Sequence, residues 1–245
     1  METVHLVGQL REIHGHLLKF ISSIPIEKSK EKHRVAKSFL FSILEGYAGC
    51  TELINLEIIS QVPILSRSMI EALIDFEFLS NDTAAYKILR AEEIKLKRDY
   101  LDMLLKNGSY PERAEELTGV RDRYNKCLKY WEKRHVKPRL WVSKIENSNI
   151  DRHIKMACYA GSRAVHNNLL ELHSRHRLQD DAGVVVCFKK LDKKSLKSAV
   201  VTINGTLLQA TAEAMQFFEV APDQDVLDAG KICSTILADL GRVSD

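Results

Sequence analysis

Apolar positions along this chain recur at intervals of three and four rather than two, and glycine and proline are scarce at 11 and 5 residues. That periodicity predicts amphipathic helices packed on one another, with little sheet. A first helix is expected from about Val4 to Ser22, carrying Leu6, Leu10, Ile13, Leu17 and Ile21 on one stripe and ending in Ser22-Ser-Ile-Pro25. A second opens as the charged run Glu27 to Arg34, becomes apolar after Val35 and runs to about Leu56. Pro63 opens or kinks the next, and Ile64 to Leu79 is apolar almost all round, which makes this helix central.

Ser80-Asn-Asp-Thr83 stops that helix, and Asp82 or Thr83 is the expected N-cap of a long helix to about Lys106, closed by Asn107-Gly108. A matching helix follows from Pro111 to about His135, so the two predict an antiparallel hairpin. Lys137 to Trp141 reads as a loop, Asn149 to His176 as a helix, and Gly183 to Phe188 as the one extended run. Two helices, Lys193 to Phe218 and Asp223 to Leu240, close the chain. The expected fold class is therefore all-α: a helical bundle of about seven to eight helices with a long projecting antiparallel helical hairpin. Residues 1–245 are read as a single helical domain, its core at about 1–80 and 140–245 and the hairpin at about 82–136.

Composition changes this picture little. At 245 residues and 45% apolar content the chain can build a sizeable core. No stretch approaches the roughly 20 apolar residues of a membrane span, and Met1-Glu-Thr-Val-His5 is unlike a signal peptide, so a cytoplasmic protein without membrane contact is expected. Cys50, Cys127, Cys158, Cys187 and Cys233 are odd in number and never form C-x-x-C, which points away from a disulfide framework and a zinc site. No P-loop, nucleophile elbow or dinucleotide fingerprint occurs, and Glu132-Lys-Arg-His135 has di-iron spacing in one copy only. No metal and no cofactor is expected.

The net charge of +3 conceals an uneven distribution. From Arg121 to Arg139 eight cations face only Asp122 and Glu132, whereas the chain after Glu219 is acidic. The cations are interleaved with Tyr124, Tyr130, Trp131 and Trp141, a mixture that can neutralise phosphates and stack on unpaired bases. This makes Arg121, Arg123, Lys126, Lys129, Lys133 and Arg134 candidate nucleic-acid-binding residues. The alternative is a solvated hairpin face with its aromatics turned inward.

The candidate chemistry lies elsewhere. Arg67, Glu71 and Asp75 stand four apart and so share one face of the central helix among Met69, Ile70, Leu73 and Ile74. Such a face is expected to be buried or to line a cleft, and buried charges need partners. The expected partner helix bears Tyr159, Ser162, His166 and His173, again on one face, with Asn168 close by. His166 with Glu71 to fix its tautomer and Arg67 to hold an anion has the parts of a general acid and base, suited to phosphodiester cleavage without a metal. Catalytic roles thus fall to His166, Arg67 and Glu71, and supporting roles to Asp75, Tyr159, Ser162 and Asn168. The alternative is a buried polar network that fixes helix register.

The pairing of Leu65-Ser-Arg-Ser-Met-Ile-Glu-Ala-Leu-Ile-Asp75 with Tyr159-Ala-Gly-Ser-Arg-Ala-Val-His-Asn-Asn168 resembles a bacterial helical family known as a domain of unknown function, family 5677. The resemblance runs from about Ala48 to about Leu172 and implies that Arg67, Glu71, Ser162 and His166 belong together; it implies no activity. A more distant likeness is to the HEPN superfamily of helical bundles, many of them metal-independent ribonucleases of bacterial defence and toxin systems. Their hallmark is an arginine followed four to six residues later by a histidine at a dimer interface. Here Arg163 and His166 are three apart, and Arg11-Glu-Ile-His-Gly-His16 lies at the other end of the chain. Two functional readings follow: an RNA-directed, HEPN-like nuclease or RNA-binding module, with RNA as partner, or a non-enzymatic interaction or scaffold protein that forms a homodimer or binds another protein.

Overall fold

The structure is a computed structural model describing residues 3–27, 30–139, 141–165, 177–180, 183–186 and 193–242, with backbone alone at 141–142, 160–165, 177–180 and 183–186. Nine α-helices lie in the described residues: α1 Thr3–Ser23, α2 Glu31–Asn55, α3 Val62–Asn81, α4 Ala85–Lys106, α5 Ala114–Glu132, α6 Trp141–Asn147, α7 Arg152–Val165, α8 Lys193–Phe218 and α9 Gln224–Arg242. The protein is an all-α helical bundle. Its one sheet element among the described residues is a small antiparallel ribbon, β1 Arg177–Asp180 against β2 Gly183–Val186, with Asp180 opposite Gly183. The extended run expected at Gly183 is therefore half of a hairpin whose first strand, Arg177–Asp180, has too little alternation to be read from sequence.

The chain divides into two compact units, Met1–Glu77 with Asn149–Asp245, and Phe78–Ser148. In the first, α1 packs on α2 and α9, and α2 on α8. The buried stripe of α1 is Leu6, Val7, Leu10, Ile13, Leu17, Phe20 and Ile21, the spacing that the sequence predicts. α2 answers with Leu40, Ile43, Leu44, Tyr47, Cys50 and Ile54, and α8 with Val200, Ile203, Leu207 and Ala210. Two polar groups inside find partners: the Tyr47 hydroxyl donates to Asn204 Oδ1 at 2.7 Å, and Lys37 donates to the carbonyls of Ser22 (3.0 Å) and Ile24 (2.8 Å) where α1 runs out of partners. Gly46 lets α2 approach α3 closely, because a Cβ there would collide with the Met69 side chain.

The second unit is built on α4 and α5, which pack as an antiparallel pair: Arg98 Nη1 donates to Asn125 Oδ1 at 3.4 Å, and Arg121 lies 3.8 Å from Asp102. Gly108, at φ +61°, closes α4 as its sequence predicts, with the Ser109 N–H reaching the Leu104 carbonyl. The expected cap at Asp82 takes a different form: its Oδ1 accepts the Ala84 N–H at 2.7 Å and α4 starts at Ala85. α6 starts at Trp141, the last residue that reads as loop, and fills the stretch before Asn149 to which the sequence assigns no element; at seven residues it is too short for periodicity to reveal. It is held by buried Ile145 and by Lys144, which donates to Glu92 Oε2 at 2.5 Å, while the Arg139 N–H donates to Glu92 Oε1 at 3.0 Å.

Candidate functional site

α3 is set by its apolar residues: Met69, Ile70, Leu73, Ile74, Phe76 and Leu79 are buried. Arg67, Glu71 and Asp75 stand off that stripe and are half-buried, so the ladder lies at the margin of the core and not inside it. Arg67 Nε donates to Glu71 Oε1 at 2.7 Å, and the two side chains are 16% and 37% exposed. The pair thus closes along one helix, with its carboxylate the more open member. Arg67 Nη1 is buried and has no hydrogen-bond partner among the described residues. An orphaned buried donor costs about 1–3 kcal/mol, so α3 carries a guanidinium whose hydrogen-bonding capacity is only partly used.

α7 buries Ile154 and Cys158 on one stripe and packs on α8, with Ile154 beside Gly205. Burial, reinforced by the Glu71 carboxylate and opposed by the Arg67 guanidinium, pushes the Cys158 thiol up to about 11, which keeps it protonated and unreactive. Sequence reading passed over Cys158, although its place four residues after Ile154 on an apolar stripe marks it as inward-facing. Tyr159 sits on the neighbouring face and is 40% exposed. Ser162 falls one turn beyond Cys158 in α7, and its side chain lies outside the described residues, as do His166, Asn168, His173 and His176. Among the described residues the structure joins Arg67 to Glu71, and the charges of both act on the Cys158 thiol.

A second polar group, nearer the C-terminal end of α3, escaped the sequence reading. Glu77 is 3% exposed, accepts the Asn149 N–H at 2.7 Å and has Lys155 for a neighbouring charge. Burial raises its carboxyl, and burial together with the charge of Glu77 raises that of Glu213. Its signal was a lone glutamate in the apolar run Ile74-Asp-Phe-Glu-Phe-Leu79.

On α5 the expected nucleic-acid residues divide. Arg121 is held by Asp122 at 2.8 Å and faces Asp102. Arg123, Lys126, Lys129 and Lys133 are exposed. Arg134 lies over the Tyr130 ring at 3.6 Å, and Tyr130 is 53% exposed, whereas Tyr124 and Trp131 are half-buried.

The fold is an all-α helical bundle, and α3 carries a half-buried Arg–Glu pair. A profile described as "Family of unknown function (DUF5677)" matches residues 33–183, more than half of the chain, and the protein belongs to that family. The matched span, which contains α3 and α7, includes Arg67, Glu71 and Ser162, and in sequence also His166. No curated protein and no solved structure matches. Among the described residues no helix is long and apolar enough to cross a membrane.

Proposed function

We propose that the protein is an RNA-directed module in which Arg67 anchors a phosphate and His166 supplies proton transfer for HEPN-like, metal-independent cleavage. One observation carries the reading: the Arg67 guanidinium is fixed by Glu71 through Nε while its buried Nη1 has no acceptor among the described residues. A phosphate oxygen entering beside the half-exposed Glu71 would meet that capacity, because guanidinium and phosphate match as fork and acceptor. The role of His166 rests on its place in the sequence, four residues beyond Ser162.

A scaffold role is favoured by one feature, the closure of the Arg67–Glu71 pair within a single helix, as a purely structural pair would close. Labelled RNA incubated in the presence of a chelator separates the two readings. Cleavage by the wild type that is abolished in His166→Ala and Arg67→Met supports the nuclease; binding without cleavage by the wild type, weakened in Arg67→Met, supports an RNA-binding module. No RNA binding at low salt by a folded wild type leaves the scaffold.

A further inference from the structure

α4 and α5 treat their charges differently. On α4 four of the six cations are paired along the helix, Lys95 with Asp99, Lys97 and Arg90 with Glu93, and Arg98 with Asp99, leaving Lys87 and Lys106 at its two ends. On the second half of α5, Arg123, Lys126, Lys129 and Lys133 are exposed and have no ion pair among the described residues. Compensation of the helix dipole accounts for cations in a last turn, here Lys129, and not for Arg123 and Lys126 further back. The spacing Arg123, Lys126, Tyr130, Lys133 falls on one face of the helix, so an aromatic ring sits inside the run of unneutralised charge. That ring, half-exposed, already has the Arg134 guanidinium over it at 3.6 Å, whereas Tyr124 and Trp131 are turned partly away from solvent.

We propose that this outer face of α5 is a track for single-stranded RNA, with Tyr130 and Arg134 as its stacking platform and Arg123, Lys126, Lys129 and Lys133 meeting the phosphates. Arg121 and Arg139 are outside it: the first is engaged by Asp122, and the second lies over Phe78 and pairs with Asp82. A single strand is favoured over a duplex because a ring lying among the cations has a use only where a base face is free. From Arg123 to Lys133 the chain rises about 15 Å, long enough to meet several successive phosphates of one strand. The track shares a ligand class with the Arg67 site but rests on other residues.

Anisotropy of a fluorescein-labelled twelve-residue oligouridylate, titrated with the full chain at several salt concentrations, tests it. Four phosphate contacts predict a slope of log K on log salt near about −3, and Lys126→Glu with Lys133→Glu should weaken binding at least ~10-fold and flatten the slope by about half. Tyr130→Ala should weaken binding on the order of 5- to 100-fold while Tyr130→Phe restores it, and Arg121→Gln should change it less than about twofold. Every substituted residue is exposed or half-buried, and circular dichroism verifies folding. Absence of binding at low salt, or binding indifferent to the double reversal, overturns the track. So does loss with charge alone, Tyr130→Ala behaving as wild type and polyglutamate displacing the RNA, because the face then receives an acidic protein. The Arg67→Met variant separates the sites: the track predicts that its salt slope is kept even if the Arg67 reading fails.

Discussion

Replacing Arg67 by Met asks whether the guanidinium is there for the fold or for a ligand. Met keeps the length and apolar bulk of the arginine stem and removes its charged head. The loss is the bond from Nε to Glu71, an i,i+4 pair worth about 0.3–0.5 kcal/mol, and less in the order Arg before Glu. Glu71 is left single, but at 37% exposure water takes up much of its charge. The gain is removal of the orphaned Nη1 donor, about 1–3 kcal/mol. The balance favours the variant by about 1 kcal/mol, an increase of roughly 2–4 °C in the midpoint for a chain of this size. Thermal unfolding followed by circular dichroism in phosphate-free buffer, with the urea midpoint as a second measure, reads it. A loss of about 3 kcal/mol or more would refute the reasoning, since that is the behaviour of a buried pair on which the fold depends.

Lys37→Met should cost about 1–2 kcal/mol, because the carbonyls of Ser22 and Ile24 lose the ammonium that ends α1; urea midpoints check it. The two helical glycines Gly8 and Gly46 should respond with opposite sign to alanine: about 0.5–1 kcal/mol more stable at Gly8, where a Cβ meets nothing, and less stable at Gly46, where Met69 blocks it. Glu77 and Glu213 both have raised carboxyl pKa values in the fold, so each binds protons more tightly when folded and favours folding as pH falls from the raised value towards 4.5. Glu213→Gln should therefore raise the midpoint at pH 7.5, by about 0.5 kcal/mol after allowance for solvent, and the advantage should vanish near pH 4.5; a constant difference across that range would contradict it.

Much of the fold was legible because helices here are long and one-sided. α1 and α8 follow their apolar stripes almost to the residue, and Gly108 marks the end of α4 because no other residue type accepts its φ so readily. What failed was local. α6 is two turns long and is fixed by Glu92, far away in sequence, and β1 is four residues with no alternating pattern. The ladder on α3 was visible as a spacing, yet spacing cannot tell a core face from a margin; Met69, Leu73 and Phe76 take the core, and Arg67 and Glu71 are left at its edge. Spacing likewise could not sort α5, where whether an arginine is already engaged depends on Asp102 and Asp122 for Arg121 and on nothing comparable for Arg123.

The claim at the centre is that Arg67 holds a phosphate, and the most direct test is the thermal midpoint of the protein titrated with uridine 3′-monophosphate. A ligand at 100 times its dissociation constant stabilises the folded state by about 2.7 kcal/mol, so the wild-type midpoint should rise by roughly 5–10 °C at saturation, Arg67→Lys by less and Arg67→Met not at all. Equal shifts in wild type and Arg67→Met, or none in either, would contradict it.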